Sequence, residues 1–267
     1  ANPTGPMHMG NARGGALGDC LAAVLDKAGY NAWREFYVND AGNQIEKFGC
    51  SLEARYLQIF KGDEIEFPED GYQGEDIKDL AKEYADLNGD SLVNVSAEER
   101  KKALVDYALP KNIKKMQADM EKYKIFYDKW FFESELHKSG AVKAVVDLLT
   151  KKGLTYEKDG AVWYKNKEVL TQKLLKEGKS QKYIDNLELK DDVLIRQNGN
   201  PTYFTADIAY HKNKFDRGFT TLIDVWGADH HGHVMRMKGA MDAIGYDGDK
   251  LNVLLMQLVK LVRNGEL

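Results

Sequence analysis

The segment Asn2-Pro3-Thr4-Gly5-Pro6-Met7-His8-Met9-Gly10-Asn11 sets two prolines and two glycines ahead of a helix-forming stretch. A turn of this kind presents the positive dipole end and the unpaired N–H groups of a helix start to an anion, and a triphosphate would fit there. His8 and Asn11, three apart on one side of the first turn, can donate hydrogen bonds to phosphate oxygens as charge shifts during displacement at phosphorus. Gly10 allows a flat ring such as adenine to approach the backbone. Taken alone, a His-x-Gly-Asn tetrapeptide is equally an ordinary turn with an N-cap and a surface histidine.

A second cluster, Trp226-Gly227-Ala228-Asp229-His230-His231-Gly232-His233, follows an apolar strand, at the end where open α/β sheets bind ligands. Asp229 can accept from ribose hydroxyls, and Gly227 permits close approach. Three histidines and an aspartate also raise a metal site, but His230 and His231 are neighbours and no further Cys, Glu or His pair completes a ligand set, so no metal is assigned. The bland alternative is a set of hydrogen-bonded structural histidines. In a third cluster, Tyr203-Phe204-Thr205-Ala206-Asp207, a phenol and a carboxylate lie four apart on a helix face, which suits a planar cation. Alone, Asp207 reads as a solvated or capping aspartate.

These clusters need elements to hold them. Leu17, Leu21, Val24, Leu25 and Ala28 recur at helical spacing from Asn11 to the stop at Gly29, and the small residues of the first turns let that helix lie close to a sheet or ligand. Trp33 to Val38 reads as a strand ended by the Asn39-Asp40-Ala41-Gly42 turn. From Asn43 to about Asp192 the chain turns mostly helical and charged. Ser96-Ala97-Glu98-Glu99 opens one helix there as a capping box, Pro110 is expected to kink or divide it, and Val142, Val145, Val146 and Leu149 mark another. Val193 to Arg196 and Thr202 to Thr205 flank Asn198-Gly199-Asn200 as a hairpin. A helix through Asp207 to Phe215, a strand Leu222 to Trp226, a helix His233 to Ile244 and a strand or hairpin arm Asn252 to Val262 complete the rhythm. Strands alternating with helices predict an α/β fold with a doubly wound parallel sheet and an inserted helical subdomain.

The chain of 267 residues, 43% hydrophobic and 30% charged, has the means to bury a sizeable core and is not disordered. Its 38 Lys+Arg against 42 Asp+Glu give a net charge of -4, which excludes a surface that is basic throughout. The longest apolar runs are too short to span a bilayer and no export segment opens the chain, so a cytoplasmic protein that engages no membrane is expected. Cys20 and Cys50 read as two reduced thiols. Residue 1 is alanine and the first eleven residues already form a functional loop, so the chain is read as an excised piece.

Four separated motifs in one order carry a resemblance: Ala1 to Asp19, Arg34-Glu35-Phe36-Tyr37-Val38-Asn39-Asp40-Ala41-Gly42-Asn43-Gln44, Thr202 to His211, and Val225 to His233. Together they resemble class I arginyl-tRNA synthetases of bacterial type. The resemblance implies a Rossmann-like, HUP-type nucleotide-binding domain split into residues 1–42 and 193–267, with 43–192 as the inserted connecting region. It implies ATP with Mg2+ as a substrate and no tightly bound cofactor, L-arginine and tRNA as the other partners, and a monomer. His8 and Asn11 then take catalytic roles; His8, Gly10, Gly227, Asp229 and His233 handle ATP; Asn2, Asn11, Tyr203, Asp207 and His230 bind arginine.

The resemblance also implies departures. Asn11 stands where the family commonly has a second histidine; an amide donates the same bond but cannot become cationic. A glutamate-bearing strand upstream of Ala1, a Lys-Met-Ser-Lys-Ser loop after Leu267, an appended N-terminal domain and an anticodon-binding domain are all expected outside this chain, and residues 166–192 look longer than the usual form. Two other classes stay open on the residues: a nucleotidyltransferase activating another acid, and a non-catalytic RNA- or protein-binding module using Lys111, Lys114, Lys115, Lys122 and Lys124.

Overall fold

The computed structural model describes residues 1–257 and 259–266, the side chains of Asp63 and Asp229 excepted. The chain divides into two compact units, Ala1–Ser134 and Glu135–Leu267.

In the first unit the N-terminal turn runs into α1 (Met9–Lys27), followed by β1 (Glu35–Val38), α2 (Asn43–Lys61), α3 (Glu75–Asn88), α4 (Ala97–Lys122) and β2 (Lys129–Phe132). The small residues of α1 serve close packing: a Cβ on Gly15 would stand 3.2 Å from Met120 Sδ and from the Tyr127 hydroxyl. Of the apolar stripe read on this helix, Leu17 and Val24 stay exposed, and Ala22 is its buried residue. β1 pairs in parallel with β2, Glu35 opposite Lys129 through Val38 opposite Phe132. The stretch read as a helical insertion therefore returns a strand to β1.

The core of this unit is helical. Phe48, Leu52 and Tyr56 of α2 pack with Ile77 and Ala81 of α3 and Leu104 and Ala108 of α4. Ser96 Oγ accepts from the Glu99 N–H and starts α4, as the capping signature predicts. Pro110 does not divide it. α4 runs 26 residues, because Ala108, Asn112, Met116 and Met120 stay buried on both sides of the proline and hold it in register. Arg100, 8% exposed, clips the preceding loop by donating to the carbonyls of Leu92, Val93 and Val95 and to Glu53 at 2.6 Å.

After α5 (Glu133–Lys138), the second unit comprises α6 (Ala141–Lys151), β3 (Thr155–Lys158), β4 (Ala161–Tyr164), α7 (Asn166–Lys176), α8 (Gln181–Asp185), β5 (Asp192–Ile195), α9 (Tyr203–Asp216), β6 (Leu222–Gly227), α10 (His231–Ile244) and β7 (Leu251–Met256). β6 and β7 are parallel, Leu222 opposite Leu251 through Gly227 opposite Met256. β3, β4 and β5 form an antiparallel sheet that periodicity does not announce.

The expected hairpin forms only at its turn: the Arg196 N–H donates to the Asn200 carbonyl at 2.8 Å and a single antiparallel bridge joins Ile195 to Pro201, after which the second arm becomes a helix instead of a strand. Gly199 turns the chain at φ 81°, but β5 takes β4 as its partner, and Thr202 to Thr205 open α9. The two threonine hydroxyls explain this, since Thr202 Oγ1 donates to the Val193 carbonyl at 2.7 Å and Thr205 Oγ1 to that of Leu194 at 2.8 Å. Side-chain bonds to β5 thus override the β propensity of this run. The last strand also ends at Met256, short of the expected Val262, and Leu258 lies outside the described residues. No described helix is long and apolar enough to cross a membrane.

Candidate active-site residues in the two units

In the first unit His8 is the N-cap of α1. Its Nδ1 accepts from the N–H groups of Gly10 (3.1 Å) and Asn11 (3.3 Å), and Asn11 Oδ1 accepts in return from the His8 N–H at 3.2 Å. This capping box corrects the expectation of an unpaired helix start, because the Gly10 and Asn11 donors are already taken. It also fixes the ring. A backbone N–H can only donate, so Nδ1 accepts and the neutral imidazole carries its proton on Nε2. An exposed histidine is thereby left with one outward donor, and Asn11, accepting through its carbonyl, presents its NH2 group.

Gly10 has a local reason to be glycine: a Cβ there would meet the His8 ring at 3.0 Å. Two other residues, which pattern reading misses, hold the loop. Asn112 of α4 donates to the Pro3 carbonyl at 3.0 Å, and Asn39 meets the Asn2 amide at 3.1 Å beyond the end of β1. Glu133, 3% exposed, accepts from the Tyr37 hydroxyl at 2.8 Å, and Asp40 accepts from the Ser134 N–H at 2.9 Å. These long-range bonds join the ends of β1 and β2, and no sequence spacing of 94 or 96 residues could have disclosed them.

In the second unit Tyr203, 43% exposed, is the first residue of α9, and Asp207 follows one turn later on the same face. Asp207 Oδ2 lies 2.9 Å from His233 Nε2 on α10, so the structure joins two residues that the sequence reading assigned to different substrates. Around them Phe204 packs edge-on to His233 with ring centres 5.5 Å apart, and the Arg236 guanidinium lies 4.9 Å over Phe204. Arg236 makes a two-pronged pair with Asp192 at the start of β5. Burial pushes the Asp192 carboxyl up despite that partner.

Gly227 closes β6 with φ −68°, a backbone any residue adopts. Ala228–His230 form one short turn, in which His230 is exposed with its ring 6.0 Å from Trp226, and the Asp229 side chain lies outside the described residues. Among the described residues no three His, Cys, Asp or Glu side chains are grouped to hold a metal ion.

Beneath α9, Asp224 of β6 is shared by Lys214 (2.7 Å) and His211 (2.5 Å). Burial opposes its ionisation, but the charges of and hydrogen bonds from Lys214 and His211 outweigh this and hold the carboxyl below the usual range. A carboxylate depressed on folding adds stability above about pH 4, the unfolded value, and loses it as pH falls toward the folded one. Asp224→Asn is therefore expected to be less stable than the parent by on the order of 3 kcal/mol near neutrality. The gap should close as pH drops below about 4. Denaturant midpoints across that range check this, and a gap independent of pH would contradict it.

The family profile described as tRNA synthetases class I (R), catalytic domain, matches residues 1–259. The chain is 58% identical over 269 residues to an arginine–tRNA ligase of Ruminiclostridium cellulolyticum and 59% identical over 267 residues to one of Caldanaerobacter subterraneus subsp. tengcongensis. All of this chain is covered in both, but it spans 45% and 44% of their lengths. A crystal structure from Campylobacter jejuni assigned as an arginyl-tRNA synthetase superposes on the whole chain with a TM-score of 0.82 at 38% identity, over 54% of its own length. The Thermus thermophilus arginyl-tRNA synthetase shares the fold at TM-score 0.65 and 19% identity, over 96% of this chain and 47% of its own. Parallel strand pairs flanked by helices, a capped signature turn and near-complete coverage by the family profile converge: this chain belongs to the class I arginyl-tRNA synthetases and carries their Rossmann-like α/β core.

Proposed function

We propose that this chain is the catalytic core of an arginine–tRNA ligase. In the full-length protein the arginine carboxylate attacks the α-phosphorus of ATP, forming arginyl-adenylate and releasing pyrophosphate. A ribose hydroxyl of the terminal adenosine of tRNA then attacks the arginyl carbonyl and releases AMP. No covalent enzyme intermediate is required, so catalysis is positioning and charge stabilisation.

The observation that carries this reading is Asp207. Its carboxylate sits one helical turn from the exposed Tyr203 and already holds a planar N–H donor, the His233 ring, at 2.9 Å. A guanidinium offers the same kind of donor in a fork, with a full charge. Tyr203 and Asp207 therefore read the arginine side chain, and their pairing supports moving His233 from the ATP side to the arginine side. His230 assists there, and Asn2 and Asn11 serve the amino and carboxylate groups. His8 donates from Nε2 to the reacting phosphate. Gly10, Gly227 and Asp229 accommodate the adenosine, and Mg2+ accompanies ATP as its counter-ion.

In the same reading residues 1–42 and 193–267 form the nucleotide-binding halves around the connecting segment 43–192, from which β2 returns to β1. The protein works as a cytoplasmic monomer and grips tRNA mainly through parts outside this chain. Calorimetric titration of the native full-length product tests the substrate. Arginine is expected to bind roughly a hundredfold more tightly than citrulline, its uncharged isostere, since removing one member of a charge pair costs about 2–5 kcal/mol. Equal affinities would overturn the assignment of Asp207.

A further inference from the structure

Two side chains of α9 that the proposed chemistry does not use converge on one carboxylate. The ring of His211, 2% exposed, and the ammonium of Lys214, 8% exposed, take one oxygen each of Asp224 on β6, at 2.5 and 2.7 Å. Three buried ionisable groups seldom improve on hydrophobic residues of the same volume, so stability alone does not account for them.

The opposite edge of His211 supplies a second role. Its Nδ1 lies 2.7 Å from the main-chain carbonyl of Asp207, so both ring nitrogens face oxygens. The ring also meets Trp226 at the end of β6 edge-on, with centres 6.1 Å apart and planes at 84°. Trp226 in turn packs 5.4 Å from His233, which holds the Asp207 carboxylate. The contacts close a circuit from Asp224 through His211, Asp207, His233 and Trp226 back to the strand that bears Asp224.

We propose that His211, held by Asp224, is a positioning residue for guanidinium recognition, fixing the Asp207 turn of α9 against the end of β6. This rests on reading Asp207 as the partner of the arginine side chain. His211 touches no substrate in this role. It acts by limiting where Asp207 and His233 can stand.

Arginine-dependent exchange of pyrophosphate into ATP, measured on the native full-length product with tRNA present, tests the inference. His211→Gln keeps an amide donor for Asp224 but loses the one at Asp207. It is expected to raise the arginine KM roughly ten- to a hundredfold, as misplacing a binding group does, while the ATP KM stays within about twofold. Lys214→Met removes charge from the same cluster without touching Asp207. It should lower the melting temperature and leave the arginine KM within about twofold of the parent. Should His211→Gln not fold, Asp224→Glu, which keeps a carboxylate for Lys214 but displaces the ring, gives the same readout. A His211→Gln or Asp224→Glu variant that raises both KM values together, or that loses only thermal stability, would overturn the proposal. A parent with no arginine-dependent exchange would overturn the reading beneath it, and the inference with it.

Discussion

Exchange of Asp207 for asparagine is expected to lower kcat/KM for arginine by about 10²- to 10³-fold, because it removes the carboxylate of a charge pair while keeping the shape. An asparagine also presents an NH2 group where the guanidinium has only donors, so one contact turns from attraction to repulsion. The loss falls on arginine and not on ATP, whose affinity should not change. Stability is little affected, since the carboxylate is 31% exposed and its partner His233 is also packed by Phe204 and Trp226. Steady-state exchange kinetics at varied arginine and ATP check this. A loss of less than about fivefold, well under the range for a truncated charge pair, would mean that the guanidinium is read elsewhere.

The second large effect is expected at His8, whose removal deletes an outward Nε2–H donor and the cap of α1 together. His8→Ala should reduce kcat by about 10²- to 10³-fold, the usual consequence of losing one donor to developing charge. It should also cost about 1 kcal/mol in stability, the usual cost of a lost N-cap. His8→Asn separates the two. Asparagine is a good N-cap, so the helix should recover, while its shorter side chain cannot cap and reach phosphate at once. Recovery of stability without recovery of rate is the expected result in paired melting and exchange measurements. Recovery of both would reduce His8 to a structural cap.

Much of the scaffold was legible because it is local. Helices α6 and α10 follow from apolar spacing and their terminal glycines, Gly153 and Gly245, both at positive φ. β6 follows from its apolar run. The parts that were not legible depend on partners far along the chain. Thr202 to Thr205 has the composition of a strand, and its hydroxyl bonds to β5 help make it a helix start. β2 is four residues between helices and is defined by pairing with a strand more than ninety positions away. The site divides in the same way. His8, Tyr203 and Asp207 stand in local motifs, whereas the Asp207–His233 pair and the Asp224–His211–Lys214 cluster appear only once α9 meets α10 and β6. Even within the signature turn, sequence gives the residue types but not the capping box that decides which histidine nitrogen is available.

The acid proposed to be activated is arginine, read through its guanidinium. The most direct measurement is pyrophosphate exchange by the native full-length product, with tRNA present, screened across the amino acids. Exchange is expected with arginine, little or none with lysine or citrulline, and the arginine signal is expected to be lost in Asp207→Asn. Exchange driven by a neutral amino acid and not by arginine would contradict it.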